Sequence, residues 1–229
     1  MKKIGFIGAY DKTDLLLNIA KILTTMNTRT LIVDSTINQK AKYVVPAIDP
    51  TVSYITSFED IDVAIGFNDL EEIQKYTGTA ELPYDIVLID CDTAERVEKF
   101  ELEGAFKNYF VTSFDIYSLK RGLEILSNIS VAIELTKVIY TQEVLKEDDD
   151  YLNYLSLGYK VIWNEERIYF PLENGDLSAI SENQRLQKIK FKKLSVQYKD
   201  SICFMAQQIL GLKSDSNVRK TIKNIEKGA

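Results

Sequence analysis

The 229-residue sequence contains no histidine, only two cysteines, only four prolines and no long apolar run. The lack of histidine excludes histidine-ligated metal sites, Ser-His-Asp triads and a histidine general base. Cys91 and Cys203 lie far apart in apolar segments, which predicts buried free thiols in a reducing compartment. No apolar run approaches the ~18 residues of a membrane-spanning helix, and the N-terminus lacks a signal-peptide core. We therefore expect a cytoplasmic protein.

The composition is that of an ordinary globular domain. Hydrophobic residues make up 45% of the chain and charged residues 27%, enough to form a sizeable core. A protein that coats nucleic acid needs a surface that is basic throughout. The net charge of −6 excludes such a surface. The length suits one α/β domain with a tail, and we assign residues 1–212 to the domain and residues 213–229 to a basic tail.

The first fourteen residues have the pattern of a strand, a turn and the start of a helix. An apolar run ends at Ile7, Gly8 opens a compact turn, and Lys12 and Thr13 lead into helical spacing. This is the layout of a phosphate-binding loop, in which the free N–H groups of the helix N-terminus face the phosphates. The lysine adds a mobile positive charge, and the hydroxyl can ligate Mg²⁺. On this motif alone, an ordinary βα turn is an equal alternative.

Strand and helix patterns alternate along the rest of the chain. A helix is predicted over Thr13–Met26 and a strand over Arg29–Asp34, which together with the first strand form a parallel βαβ unit. Further strands are predicted at Ile61–Phe67, Ile86–Asp90, Asn108–Phe114 and Thr136–Thr141, and further helices at Leu70–Tyr76, residues 115–129 and Leu194–Leu210. The alternation predicts an α/β fold with a doubly wound, mostly parallel sheet and helices on both faces.

Two of the later helices carry end signals in the sequence. Asp115 or Ser118 is the predicted N-cap of the helix over residues 115–129. Gly211 is the predicted C-cap of the helix that ends at Leu210.

Two of the predicted strands end in a carboxylate, Asp34 and Asp90. The Ile86–Asp90 segment is a continuous apolar run, typical of a parallel strand that is covered on both faces. An apolar strand that ends in aspartate is the form of a Walker B element, whose carboxylate holds Mg²⁺ through water. The structural alternatives are a strand-end turn residue for Asp34 and a helix N-cap for Asp90.

This ordered set of features resembles the ParA/MinD family of partitioning and positioning ATPases, over roughly residues 1–210. That family uses the loop pattern K-G-G-x-G-K-S/T. Gly8 falls on its first glycine, and Lys12 and Thr13 fall on its final Lys-Thr pair. The resemblance implies the P-loop α/β fold predicted above.

The sequence departs from the family pattern at the catalytic positions. Ala9 and Asp11 replace two loop glycines, Ile7 replaces the signature lysine that reaches across a dimer, and Thr36 replaces the aspartate that positions the attacking water. Asp11 brings negative charge toward the phosphate position unless it turns outward or pairs with Lys12. At an effective dielectric constant of ~20, two like charges ~4 Å apart repel by about 4 kcal/mol.

The resemblance therefore implies a degenerate protein that positions or assembles a larger machine, such as a partitioning system, a division site, a pilus or a secretion apparatus. It implies protein partners, a homodimer, and ATP with Mg²⁺ bound with little or no hydrolysis. Thr13, Asp34 and Asp90 would hold the metal. The nucleotide ligands implied are Gly8, Asp11, Lys12, Thr13, Asp34 and Asp90. The alternative is a nucleotide-free interaction scaffold that retains only the fold.

Two basic stretches are further candidates for interaction. Arg185–Lys193 carries five positive charges interleaved with apolar residues, which suits DNA phosphates, anionic lipid or an acidic partner. A solvated surface beneath the last helix is the alternative. The tail repeats Val218, Ile222 and Ile225 at helical spacing among basic residues, which indicates a docking helix, a disordered end or a weak membrane-surface contact.

Three segments are harder to interpret. Short edge strands are predicted at residues 44–46 and 52–55. The charged stretch Lys146–Asp150 is predicted to be a solvated loop. The segments 159–163 and 167–170 are predicted to form a hairpin or two successive strands on either side of Asn164-Glu165-Glu166.

Overall fold

The computed structural model describes residues 1–47, 51–142 and 146–228. Within these residues a single sheet contains eight strands, which are β1 (Lys2–Ile7), β2 (Thr30–Asp34), β3 (Tyr54–Phe58), β4 (Ile61–Ile65), β5 (Ile86–Cys91), β6 (Lys107–Ser113), β7 (Ile133–Thr141) and β8 (Val161–Pro171). The helices are α1 (Thr13–Thr25), α2 (Ala41–Val44), α3 (Leu70–Thr77), α4 (Ala94–Lys99), α5 (Ile116–Ser127), α6 (Lys146–Leu155), α7 (Asn174–Leu186), α8 (Val196–Leu210) and α9 (Ser216–Lys227).

The strand order is β3-β4-β2-β5-β1-β6-β7-β8, which places β1 near the middle of the sheet. Strand β1 pairs in parallel with β5 on one side and β6 on the other. Only β3, which pairs with β4, runs antiparallel to its neighbour within the described residues. The predicted doubly wound, mostly parallel fold is confirmed.

Helices cover both faces of the sheet, because successive residues of a strand point to opposite sides. Phe6 belongs to the core on the face covered by α1 and α8, and Ile7 belongs to the core on the opposite face. Both side chains are fully buried. The near-continuous apolar sequence of the central strands follows from this double coverage.

Two predicted helices carry the expected end signals. Helix α5 begins after Asp115, whose carboxylate accepts a hydrogen bond from the Ser118 N–H at 2.9 Å, an N-cap arrangement. Helix α8 ends at Gly211, which has φ +74°, the left-handed conformation that glycine adopts easily.

Three local predictions are wrong. Lys146–Asp150 is the first half of α6. Val44 ends the short helix α2, where an edge strand was expected to begin. The third concerns residues 159–170, where β8 runs parallel to β7 in place of a hairpin or two strands.

The polar residues Asn164 and Glu166 lie within β8, and their side chains contact residues of β7 and β6. The Asn164 side chain donates to Thr136 Oγ1 at 2.9 Å. Glu166 accepts from Lys107 Nζ at 3.3 Å. A register irregularity between Leu135 and Lys137 accommodates the polar segment.

The C-terminal helix α9 packs on the main core through its apolar side. Val218, Ile222 and Ile225 are buried there, and Lys199 forms an ion pair with Glu226 at 2.6 Å. The apolar side of the predicted tail therefore faces α1 and α8. In the part of the chain that the structure describes, no helix combines the length and the apolar character needed to cross a bilayer.

Candidate functional site

The predicted site residues meet at the carboxyl edge of the central strands. Because β2 and β5 are parallel neighbours, Asp34 lies directly opposite Asp90 in the sheet register. Ile7 lies opposite Cys91 in the same way. The loop from Gly8 to Lys12 leaves β1 at this edge and leads directly into α1. The fold thus brings together side chains from three separate segments of the sequence.

Gly8 is required by the path of the backbone. It has φ +141°, and a Cβ atom there would lie 2.2 Å from the carbonyl oxygen of Val111, far inside van der Waals contact. Its N–H donates to the Cys91 carbonyl at 3.1 Å. Close approach of the loop to β6 therefore explains this glycine without reference to a ligand.

The Lys12 side chain is folded back into the protein and is only 2% exposed. Its Nζ lies 3.0 Å from Asp90 Oδ1, and it donates to the carbonyl oxygens of Gly8 at 2.6 Å and Tyr10 at 3.1 Å. The ammonium thus contacts three protein oxygens. It neutralises a buried carboxylate and holds the loop against the end of β5.

Burial raises the pKa of Asp90 to about 7, and the charge of Asp34 acts in the same direction. The ammonium of Lys12 opposes this effect. Desolvation prevails because the ion pair lies in the interior, where little water remains to solvate the carboxylate. Asp90 is therefore close to its titration midpoint at neutral pH, which distinguishes it from an ordinary strand-end carboxylate.

Asp34 is buried and saturated by hydrogen bonds from its own loop. Its Oδ1 accepts from the Thr36 N–H at 3.0 Å and from the Thr36 hydroxyl at 2.6 Å. Its Oδ2 accepts from the Ala41 N–H, at the start of α2, at 2.9 Å. In this structure Asp34 is a turn residue, and the Thr36 hydroxyl is directed toward it.

Asp11 lies at the N-terminus of α1 and pairs with Lys40 instead of Lys12. Its Oδ1 accepts from the Thr13 N–H at 3.1 Å, and its Oδ2 lies 3.0 Å from Lys40 Nζ. Burial raises the pKa of Asp11, but the hydrogen bond from Thr13 and the ion pair with Lys40 outweigh it and lower the pKa below its usual value. The carboxylate occupies an N–H group of the kind that binds phosphate at helix N-termini.

The sequence reasoning missed three participants in this site. Lys40 is the partner of Asp11, and no local sequence pattern marks it. Both carboxylate oxygens of Asp92 accept from the Ile37 N–H, at 3.0 and 3.1 Å, which ties the loop after β2 to the end of β5. The ring of Tyr10 stacks on Tyr140 with centroids 4.5 Å apart. Asp92 follows the Asp90 strand end so closely in sequence that it could have been found.

The space that remains between these side chains is small. The cavity lined by Asp11, Lys12, Thr36 and Asp90 has a volume of about 40 Å³, close to the ~30 Å³ that one water molecule occupies in the liquid. In this conformation the loop does not fit a triphosphate, since Lys12 is held by Asp90 and the Thr13 N–H by Asp11. Among the described residues, no three acidic or cysteine side chains converge as a metal cluster would require.

The eight-stranded, mostly parallel sheet with helices on both faces matches the α/β fold of solved ParA and MinD structures. No family model matches the sequence, and no curated protein matches it. Solved structures do match over nearly the whole chain. A ParA family ATPase from Chlorobium tepidum TLS superposes with a TM-score of 0.61 at 14% identity, covering 90% of this chain and 97% of that one.

Two further structures match in the same way. A complex of a Cyanothece McdA variant with ATP gives a TM-score of 0.57 at 12% identity, covering 93% of this chain and 98% of that one. The MinC:MinD cell division protein complex of Aquifex aeolicus gives 0.56 at 12% identity, covering 93% and 97%. At these identities the likeness establishes the fold alone.

Proposed function

We propose that this chain is a degenerate ParA/MinD-like protein that positions or assembles a larger machine, such as a partitioning system, a division site, a pilus or a secretion apparatus. It acts in the cytoplasm through protein contacts, as a homodimer in the manner of that family, and hydrolyses little or no ATP. Support comes from the fold and from the strand-end arrangement of Gly8, Lys12, Thr13, Asp34 and Asp90. Structures of this fold include a division protein complex and an ATP complex.

The observation that supports the loss of hydrolysis is the state of the positions that correspond to the family's catalytic residues. Ile7, at the place of the signature lysine, is fully buried in the core and cannot reach a partner subunit. Thr36, at the place of the water-positioning aspartate, donates its hydroxyl to Asp34. Neither position retains a group that can activate water.

A steady-state phosphate-release assay with Mg-ATP tests the loss of hydrolysis. The expected turnover of the native chain equals that of Lys12→Ala and of the buffer. Robust turnover that Lys12→Ala abolishes would contradict the proposal directly.

A nucleotide-free scaffold is the second candidate, and two contacts favour it. Lys12 is held by Asp90, and the Thr13 N–H is held by Asp11. For ATP to bind, with Thr13, Asp34 and Asp90 holding Mg²⁺ and the amides of the Gly8 loop holding phosphates, both contacts must break. The two candidate functions differ in whether ATP binding releases enough free energy to offset the cost of breaking these two contacts.

Calorimetric titration with Mg-ATP separates the two candidates. If the nucleotide site is only weakened, Asp11→Gly tightens binding by about tenfold because it removes a negative charge and frees an N–H group. Asp60→Gly is the matched control, since it makes the same change at an exposed turn residue with φ +66°. Absence of binding by both the native chain and Asp11→Gly identifies the nucleotide-free scaffold.

The basic stretch Arg185–Lys193 supports a contact with DNA phosphates or an anionic membrane. Ile189 and Phe191 are buried and anchor the segment, whereas Arg185, Lys188 and Lys190 are exposed. An electrophoretic shift assay with duplex DNA at ~50 mM salt tests the first partner. We expect Lys188→Glu together with Lys190→Glu to abolish any shift, and no shift by the native chain ends the DNA proposal. The apolar side of α9 is covered, so a membrane contact of the tail would require that helix to leave the core.

A further inference from the structure

A wide groove lies at the amino edge of the sheet, opposite the loop that carries Lys12. It has a volume of about 750 Å³, which lies within the range of ligand-binding clefts. Its floor is formed by the first residues of β6, β7 and β8, including Lys107, Glu134 and Ile162. Because these strands run parallel to β1, their first residues lie at the far edge from the nucleotide loop.

The groove is acidic. Among the described residues that line it are four glutamates, Glu103, Glu134, Glu165 and Glu166, against one cation, Lys107. Lys107 pairs with Glu166 at 3.3 Å. Glu103, Glu134 and Glu165 are exposed at the surface of the groove. The three exposed glutamates therefore give the groove a net negative charge, even with Lys2 close to Phe106.

Two large apolar side chains lie beside these carboxylates. Phe106 is 51% exposed and Ile162 is 53% exposed, and both line the groove. Ile162 is the register partner of Glu134 on β7, so an apolar and an acidic side chain lie next to each other on the sheet. The Phe106 ring already contacts a cation, since Lys2 Nζ lies 4.1 Å from its centroid.

We infer that this groove is a docking site for a basic, apolar segment of a partner protein, in which lysine or arginine side chains alternate with aliphatic ones. The cations would meet Glu134 and Glu165, and the aliphatic side chains would cover Phe106 and Ile162. The volume suits a short peptide segment, and the negative charge disfavours nucleic acid and anionic lipid as occupants. The groove contains none of the residues of the Lys12 loop, so the proposal does not require nucleotide binding.

A fluorescence anisotropy titration tests the site on the full chain. The probe is a fluorescein-labelled peptide of about twelve residues in which lysine and valine alternate. The expected result is saturable binding, weakened by about tenfold or more in the double variant Glu134→Lys with Glu165→Lys, because like charges then face each other. A peptide of alternating lysine and serine should bind more weakly than the valine peptide, since it cannot cover Phe106 and Ile162.

The control must account for general attraction, because the whole protein carries a charge of −6. Glu71→Lys with Glu81→Lys makes the same change in net charge at two exposed residues outside the groove. This control should bind the peptide as the native chain does. Equal weakening in both double variants, or no saturable binding by the native chain, would overturn the proposal. Spermidine that competes as well as the peptide would also overturn it, by assigning the groove to small polyamines.

Discussion

Charged side chains are buried and paired at the carboxyl edge of the sheet but exposed at its amino edge. At the carboxyl edge, Lys12 and Asp90 form a buried pair, and the Asp34 carboxylate is saturated by its own loop. At the amino edge, Glu134 and Glu165 face solvent. The buried charges at the carboxyl edge are paired within the protein, whereas the exposed charges at the amino edge are accessible to a partner. The carboxyl edge resembles a site by its layout, and the amino edge presents the wider and more accessible surface.

The largest expected effect of a substitution on stability at a fixed pH comes from removing the buried cation. Lys12→Met should destabilise the protein by about 3 kcal/mol at pH 8, because it leaves Asp90 buried without its partner. Urea unfolding measures the change. At pH 5.5 the loss of stability should be smaller, because Asp90 is then mostly protonated in the native chain and no longer forms an ion pair with Lys12.

Lys40→Met is the matched control for that variant. The Lys40 ammonium contacts Asp11 at 3.0 Å but is 53% exposed, so its loss should cost less than about 1 kcal/mol. Equal losses for the two variants would show that the carboxyl edge does not depend on its buried pair.

The second effect is a pH dependence of stability. The pKa of Asp90 is about 7 in the folded protein and about 3.9 in an unfolded chain. The native state therefore binds this proton more tightly, and the resulting stability is full below about pH 4 and is lost as the pH rises to about 7. Asp90→Asn should remove the part of this dependence that Asp90 contributes, at most about 1.4 kcal/mol per pH unit, and leave the part due to Asp14, whose pKa burial also raises to about 7.

Urea unfolding of the native chain and Asp90→Asn at pH 4.5, 6 and 7.5 measures the difference. Glu71→Gln, which changes an exposed carboxylate, is the control and should follow the native profile. Parallel profiles for the native chain and Asp90→Asn would mean that Asp90 is not held in the protonated range by its surroundings.

The smallest effect belongs to the amino edge. Glu134→Lys with Glu165→Lys should change the free energy of unfolding by no more than about 0.5 kcal/mol, because both side chains are exposed and surface substitutions of this kind are nearly neutral. Thermal unfolding measures it. A loss close to that of Lys12→Met would show that the acidic groove supports the fold, and it would remove the contrast between the two edges.

Much of the fold was predictable because its signals are local. The apolar run that ends at Asp90 predicts a doubly covered strand, and the structure places β5 next to the central strand. Asp115 and Gly211 lie at the ends of their helices as predicted. The Asn164-Glu165-Glu166 segment was predicted to interrupt the strand because it is polar. The Asn164 and Glu166 side chains have partners on β7 and β6, and these partners cannot be predicted from the segment alone.

The candidate site, like the fold, was only partly predictable from the sequence. The proximity of Gly8, Lys12, Asp34 and Asp90 could be predicted, because parallel strands end at the same edge of the sheet. The hydrogen-bond and ion-pair partners of these residues could not be predicted, because they depend on the path of the loops between the strands and helices. Asp11 was expected to bring negative charge toward the phosphate position unless it turned outward or paired with Lys12. Its observed ion-pair partner is Lys40, which is contributed by the loop that follows β2.

The hydrophobic periodicity of short segments and the alternation of strands with helices can be recognised in the sequence. They were sufficient to predict the parallel α/β fold and the convergence of its strand ends. The pairing of Lys12 with Asp90, the saturation of Asp34 by its own loop and the acidic groove at the opposite edge emerged only when distant segments packed together. Burial and partnership, more than residue type, set the charge and the availability of a side chain, and both are properties of the packed molecule.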